Sequence, residues 1–152
     1  MHQKTLWLFM TVVLALACNL TAKTTDETPI PTNTPPPPTD DGSPFISITE
    51  PARNGTAPVT VSPGGFRAAG QVRGSFENNV IVQALDENGE VLAENFTTAT
   101  GGGFETIANW ELDMQVFVVD AGTSGSLRAF FTSARDGSVV AEDTIPVTYG
   151  QP

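Results

Sequence analysis

The sequence predicts an all-β fold, a small β-sandwich, on three observations. Beyond Pro44 the chain runs in short stretches rich in Val, Ile, Phe and Thr, and Gly, Asn, Asp or Pro interrupts them. The interruptions recur about every eight to twelve residues, the rhythm of a sandwich. No segment asks to be helical.

Each element follows from its own pattern. Residues 45–50 (FISITE) alternate apolar and polar side chains and end at Pro51 and an Asn54-Gly55 turn, which makes a first strand. Val59 to Val61 is a short second piece, and residues 65–74 carry alternating Phe66, Ala68, Gly70 and Val72. Residues 80–85 (VIVQAL) lead into Asp86-Glu87-Asn88-Gly89, and residues 91–96 (VLAENF) lead away, a hairpin about an Asn-Gly turn. After Gly101, Gly102 and Gly103, residues 104–112 alternate over nine positions, so one face is expected to be buried. Trp110 shares its parity with Phe104 and is expected inside the sandwich. Residues 127–132 and 138–147 then pair across Ala134-Arg135-Asp136-Gly137. Phe130 and Phe131 are adjacent and point opposite ways, so one is expected to be exposed or covered by the apolar run 114–119.

Of 152 residues, a leader and a linker leave about 105 for folding, the size of one small domain. A chain of that size buries a sufficient core without metal or disulfide staples. Cys18 is the one cysteine, which excludes an intramolecular disulfide and a Cys-rich zinc site. Lys and Arg number 7 against 17 Asp and Glu, and beyond Pro44 there are five Arg and no Lys. Binding a phosphate backbone needs a basic stripe, so nucleic acid is not an expected partner. A calcium ion or a basic protein stays open beside the plainer reading of a solvated acidic surface.

The beginning of the chain points to export. His2, Gln3 and Lys4 precede residues 6–17, an apolar run broken only by Thr11. At about twelve residues it suits a signal-peptide core and is short for a permanent bilayer span. Ala15-Leu16-Ala17-Cys18 resembles the lipobox of bacterial lipoproteins, in which a small residue directly precedes the cysteine that receives lipid. The motif usually has Leu where this chain has Ala15. Residues 1–17 are therefore expected to be a signal peptide and Cys18 the lipidation site, holding an extracytoplasmic protein on a membrane of the cell envelope through acyl chains. Residues 18–44 are rich in Thr, Pro and Asp, with the run Pro35 to Pro38, and read as a semi-rigid polyproline stalk. Residues 45–150 are left for the domain.

Across that domain, Ser75-Phe76-Glu77-Asn78-Asn79-Val80, then residues 86–89, Gly103-Phe104 and Arg135-Asp136-Gly137 form a recognisable series. With Ile48-Thr49-Glu50-Pro51, Val61-Ser62-Pro63 and Gly70, it resembles the GerM-associated immunoglobulin-like domain of bacterial spore germination proteins. The resemblance spans roughly residues 45–147 and implies an immunoglobulin-like sandwich of about seven strands that binds rather than catalyses. No GerM domain accompanies it, so the resemblance speaks for fold and module type and leaves a spore or general envelope role open. It brings no catalytic residues.

The residues agree. His2 lies in the leader and Cys18 is assigned to lipid, which removes the common nucleophile and base arrangements. Glu77, Glu105, Glu111 and Asp113 are the acids available for a glycosidase pair, and nothing in the pattern pairs them. Asp86, Glu87, Asn88 and Glu90 gather oxygens at one turn, although Asp and Asn favour such turns for backbone reasons alone. No catalytic residue, metal or cofactor is expected. Three residues are candidate ligand contacts: Glu77, otherwise expected to bond backbone amides at a strand entry; Phe117, in an apolar run that makes a binding edge if exposed; and Trp110, if its ring faces out as a sugar platform. The expected protein is a monomeric envelope lipoprotein whose domain binds an envelope protein or peptidoglycan. The alternatives are a carbohydrate-binding module and a structural spacer.

Overall fold

The computed structural model describes residues 41–117 and 120–150. Cys18, the expected signal peptide and nearly all of the stalk lie outside the described residues. Eight strands follow in order: β1 (Phe45–Glu50), β2 (Val59–Val61), β3 (Phe66–Arg73), β4 (Asn79–Asp86), β5 (Val91–Thr98), β6 (Ala108–Met114), β7 (Thr123–Thr132) and β8 (Val139–Tyr149). They form a three-stranded sheet, β1-β3-β6, and a five-stranded sheet, β2-β8-β7-β4-β5. All pairings are antiparallel except that of β2 with β8.

Alternation builds both inner faces. Val80, Val82 and Ala84 of β4, Leu127, Ala129 and Phe131 of β7, and Ile145, Val147 and Tyr149 of β8 all point inward. They meet Ile46, Ile48, Ala68, Val72, Ala108, Trp110 and Met114 from the small sheet. Two half-apolar sheets can hide these faces only against each other, which is the reason for the sandwich.

The number of strands exceeds the expected seven because the first edge divides. β1 pairs with β3 in one sheet, and the chain then turns at Asn54, where the Ala57 amide donates to the Asn54 carbonyl at 3.0 Å, and β2 joins the other sheet. Asp143 of β8 closes the seam between the sheets. Its carboxylate accepts the Ile48 amide at 2.8 Å and pairs with the Arg53 guanidinium. A carboxylate and Pro146 on the otherwise open stretch of β8 keep another strand from adding there.

Two further expectations change. The strand predicted over residues 104–112 begins only at Ala108, and Phe104 is exposed rather than paired in parity with Trp110. Thr106 is the cause: its amide donates to the Gly103 carbonyl and its hydroxyl accepts the Gly103 amide, so residues 103–106 close a turn. Phe130 and Phe131 are both buried, Phe131 in the core and Phe130 on the outer sheet face at 8 % exposure. The Arg128 guanidinium covers the outer ring at 4.5 Å from its centroid while bonded to Glu142, the residue opposite Phe130 on β8. That cover comes from Arg128.

Strand direction gives the sandwich two poles. The entering chain at Ser43 and Pro44, residues 74–78, 99–107 and 133–138 lie at one pole. The Asp86–Glu90 turn, residues 115–117 and Tyr149 lie at the other. At the entrance the Arg73 guanidinium donates to the Ser43 carbonyl at 3.0 and 2.8 Å, and lies 5.2 Å from the centre of the Phe45 ring. Its side chain is only 2 % exposed, with Asp41 at 3.4 Å.

Candidate binding site

β5 is the free edge of the large sheet, and its exposure is unusual for apolar residues: Phe96 is 75 % exposed, and Val91 is exposed at its start. Across the edge, the chain leaving β6 continues the inside-outside alternation. Met114 and Val116 are buried, with the Val116 amide donating to the Pro63 carbonyl at 2.9 Å, so Gln115 and Phe117 turn outward. Phe117 is 71 % exposed.

Between these two segments lies a groove of about 250 Å³ lined by Ala93, Glu94, Asn95, Asp113, Met114, Gln115 and Phe117. Asn95 spans it. Its side-chain amide donates to the Asp113 carbonyl at 3.3 Å and its oxygen accepts the Phe96 amide at 2.9 Å, so an edge amide that would otherwise be free is taken. A smaller depression of about 120 Å³ lies toward the entrance pole, where Phe76, Asn79, Ile81 and Phe131 line it.

The three contact residues anticipated from sequence do not converge. Trp110 is 2 % exposed and lies inside the sandwich, its indole N–H donating to the Gln71 carbonyl at 3.3 Å. It offers no surface to a ligand. Glu77 is exposed at the entrance pole, in a single 3-10 turn (Phe76–Asn78) where Glu77 and Asn78 have φ of 55° and 57°. The expected bonds from Glu77 to backbone amides are not made: the Ser75 hydroxyl donates to the Asn79 carbonyl there, at 2.6 Å, and no partner of the Glu77 carboxylate occurs among the described residues. Phe117 alone borders the groove. The sequence reading missed Val91 and Phe96, although alternation along β5 against an edge position would have shown Phe96 facing out. Cys18 lies outside the described residues.

Several other acids have structural partners. Glu111 pairs with Arg67, which also reaches Glu50 at 3.1 Å, and Glu142 pairs with Arg128. The Asp86 carboxylate accepts the amides of Glu90 at 2.7 Å and Asn88 at 2.8 Å. The Glu90 amide first, and Asn88 after it, hold the Asp86 carboxyl below its ordinary range. Its oxygens thus serve the turn. Among the described residues no group of three or more His, Cys, Asp and Glu is placed to hold a metal ion.

Two sheets of three and five strands, joined by a first edge that switches between them and carrying an exposed aromatic edge, define an immunoglobulin-like domain. The model of the family described as the immunoglobulin-like domain of bacterial spore germination matches residues 45–138, more than half of the chain, and the chain belongs to that family. Among solved structures, a β-glucuronidase from Ruminococcus gnavus in complex with D-glucuronic acid is 18 % identical, with a TM-score of 0.32 over 70 % of this chain and 15 % of that one. The β-glucuronidase of Bifidobacterium dentium, complexed with coumarin-3-O-glucuronide, is 16 % identical, with a TM-score of 0.41 over 71 % of this chain and 18 % of that one. The chain thus spans less than a fifth of either enzyme. No protein of curated function matches it in sequence.

Proposed function

We propose that the protein is an extracytoplasmic lipoprotein, anchored through Cys18, whose immunoglobulin-like domain is a non-catalytic module that binds an envelope protein or cell-wall glycan. The observation that carries this is the free edge of β5. Phe117 stands exposed at a groove beside this edge, and Phe96 and Val91 are exposed along the edge strand itself; large apolar side chains gathered at one edge favour an interaction surface over a solvated one. The use of Glu111, Glu142, Asp143 and Asp86 in ion pairs and turn bonds supports the non-catalytic part. The anchor is supported by the Ala17-Cys18 junction behind an apolar leader.

The test has two arms. Cys18→Ser should move the protein from the membrane fraction to the soluble one, and mass spectrometry should find acyl chains on the native N-terminus. Continued membrane association without acyl chains refutes the anchor. The full chain, immobilised, should retain a protein from solubilised envelope or bind purified peptidoglycan. Retention of neither leaves the spacer as the function.

A further inference from the structure

We infer that the groove between β5 and the segment leaving β6 docks a basic, extended segment of a partner protein, with an arginine or lysine side chain lying along Phe117. The inference rests on the reading of the domain as a binding module and names the site and the chemistry of its partner.

The domain itself shows the chemistry twice. Arg128 lies over Phe130 and is bonded to Glu142, and Arg73 lies over Phe45 beside Asp41. Each is a guanidinium held between an aromatic ring and a carboxylate, the arrangement in which both its face and its N–H groups are used. The groove presents the same two kinds of group: the Phe117 ring, and among its lining residues the exposed acids Asp113 and Glu94, the Glu94 carboxylate also accepting the Gln83 side-chain amide at 2.7 Å. Among the described residues no Arg or Lys lines it. Arg67, which stands opposite Asp113 on β3, is already shared by Glu50 and Glu111. The field around the groove is therefore negative, and a cationic partner is attracted and oriented by it.

The mode of docking follows from Asn95. An extended peptide adds to a sheet edge through free backbone amides, and here Asn95 takes the Phe96 amide and ties β5 to Asp113. The groove thus receives side chains, with Ala93 and Met114 beside the aliphatic stem and Phe117 beside the charged head.

The experiment titrates the full chain with three fluorescent nonapeptides identical in apolar content, carrying Arg, Gln or Glu at alternate positions. The Arg peptide should bind at least about tenfold more tightly than the Gln peptide, and added salt should narrow the gap. Phe117→Ala should weaken it about tenfold, as loss of a central aromatic contact does. Glu94→Gln with Asp113→Asn should lower the Arg preference, and Phe104→Ala, an exposed ring at the other pole, should change nothing. Equal binding of the Arg and Gln peptides, or indifference to Phe117→Ala, overturns the proposal. So does self-association, or peptidoglycan binding, that Phe117→Ala abolishes, since the groove then serves a second copy or a glycan. Retention of an envelope protein undiminished in Phe117→Ala removes the groove and leaves the binding module standing. Retention of nothing, by either chain, removes both.

Discussion

The indole of Trp110 lies against Gly70, its cross-strand partner, so closely that a Cβ on Gly70 would sit 2.7 Å from Cζ2 of the ring and 1.8 Å from the Ser47 carbonyl oxygen. Gly70 is thus the one residue type that lets β1 and the ring close on β3 together. Trp110→Ala should cost about 3 to 5 kcal/mol through lost transfer energy and an unfilled cavity. Gly70→Ala should cost about 1 to 3 kcal/mol by overpacking. Urea denaturation followed by far-ultraviolet dichroism measures both, and a Gly70→Ala chain as stable as the parent would contradict the contact.

Glu77 makes the opposite case. It holds a left-handed φ of 55° with no partner for its carboxylate among the described residues, and a side chain in that region costs roughly 1 kcal/mol that glycine avoids. Glu77→Gly should leave stability unchanged or raise it by up to about 1 kcal/mol, the relief being partly offset by the freer unfolded chain. A loss above about 1 kcal/mol in thermal unfolding would show that the carboxylate carries a bond.

Tyr149 supplies a pH test. Its hydroxyl donates to the Leu85 carbonyl at 3.0 Å, with the Ser126 carbonyl at 3.3 Å, and burial pushes its ionisation up to about 12 from the ordinary 10.0. The unfolded chain loses this proton first, so the contribution is complete below pH 10 and falls as pH rises toward 12, by roughly 1.4 kcal/mol per pH unit. Tyr149→Phe should flatten that alkaline decline in denaturation curves taken between pH 9 and 12. A variant that keeps the full decline would exclude Tyr149 as its source.

Much of the fold was legible because alternation in β1, β3, β4 and β8 matches burial, and because Asp86 and Gly89 announce the β4–β5 hairpin. Phe104 misled because a turn built by Thr106 preserves the same two-residue rhythm without being a strand. Two adjacent phenylalanines cannot both face one core, and the sequence does not reveal that Arg128 roofs Phe130 on the outer face. The division of the first edge into β1 and β2 is set by contacts with β8, nearly ninety positions further on, which local pattern does not carry. Of the groove, only Phe117 was foreseen. Its other wall is brought up by pairing of β5 with β4.

The entrance that Arg73 clamps and the groove beside Phe117 lie toward opposite poles. With the proposed anchor upstream of Ser43 and the proposed partner in the groove, a pull between them would act along the strands. It loads the β1–β3 ladder in shear, so that its hydrogen bonds share the force and must yield together instead of unzipping singly. The chain continues from β1 into β2 of the other sheet, which spreads the same tension over both layers. Under such a pull the domain would serve as a link.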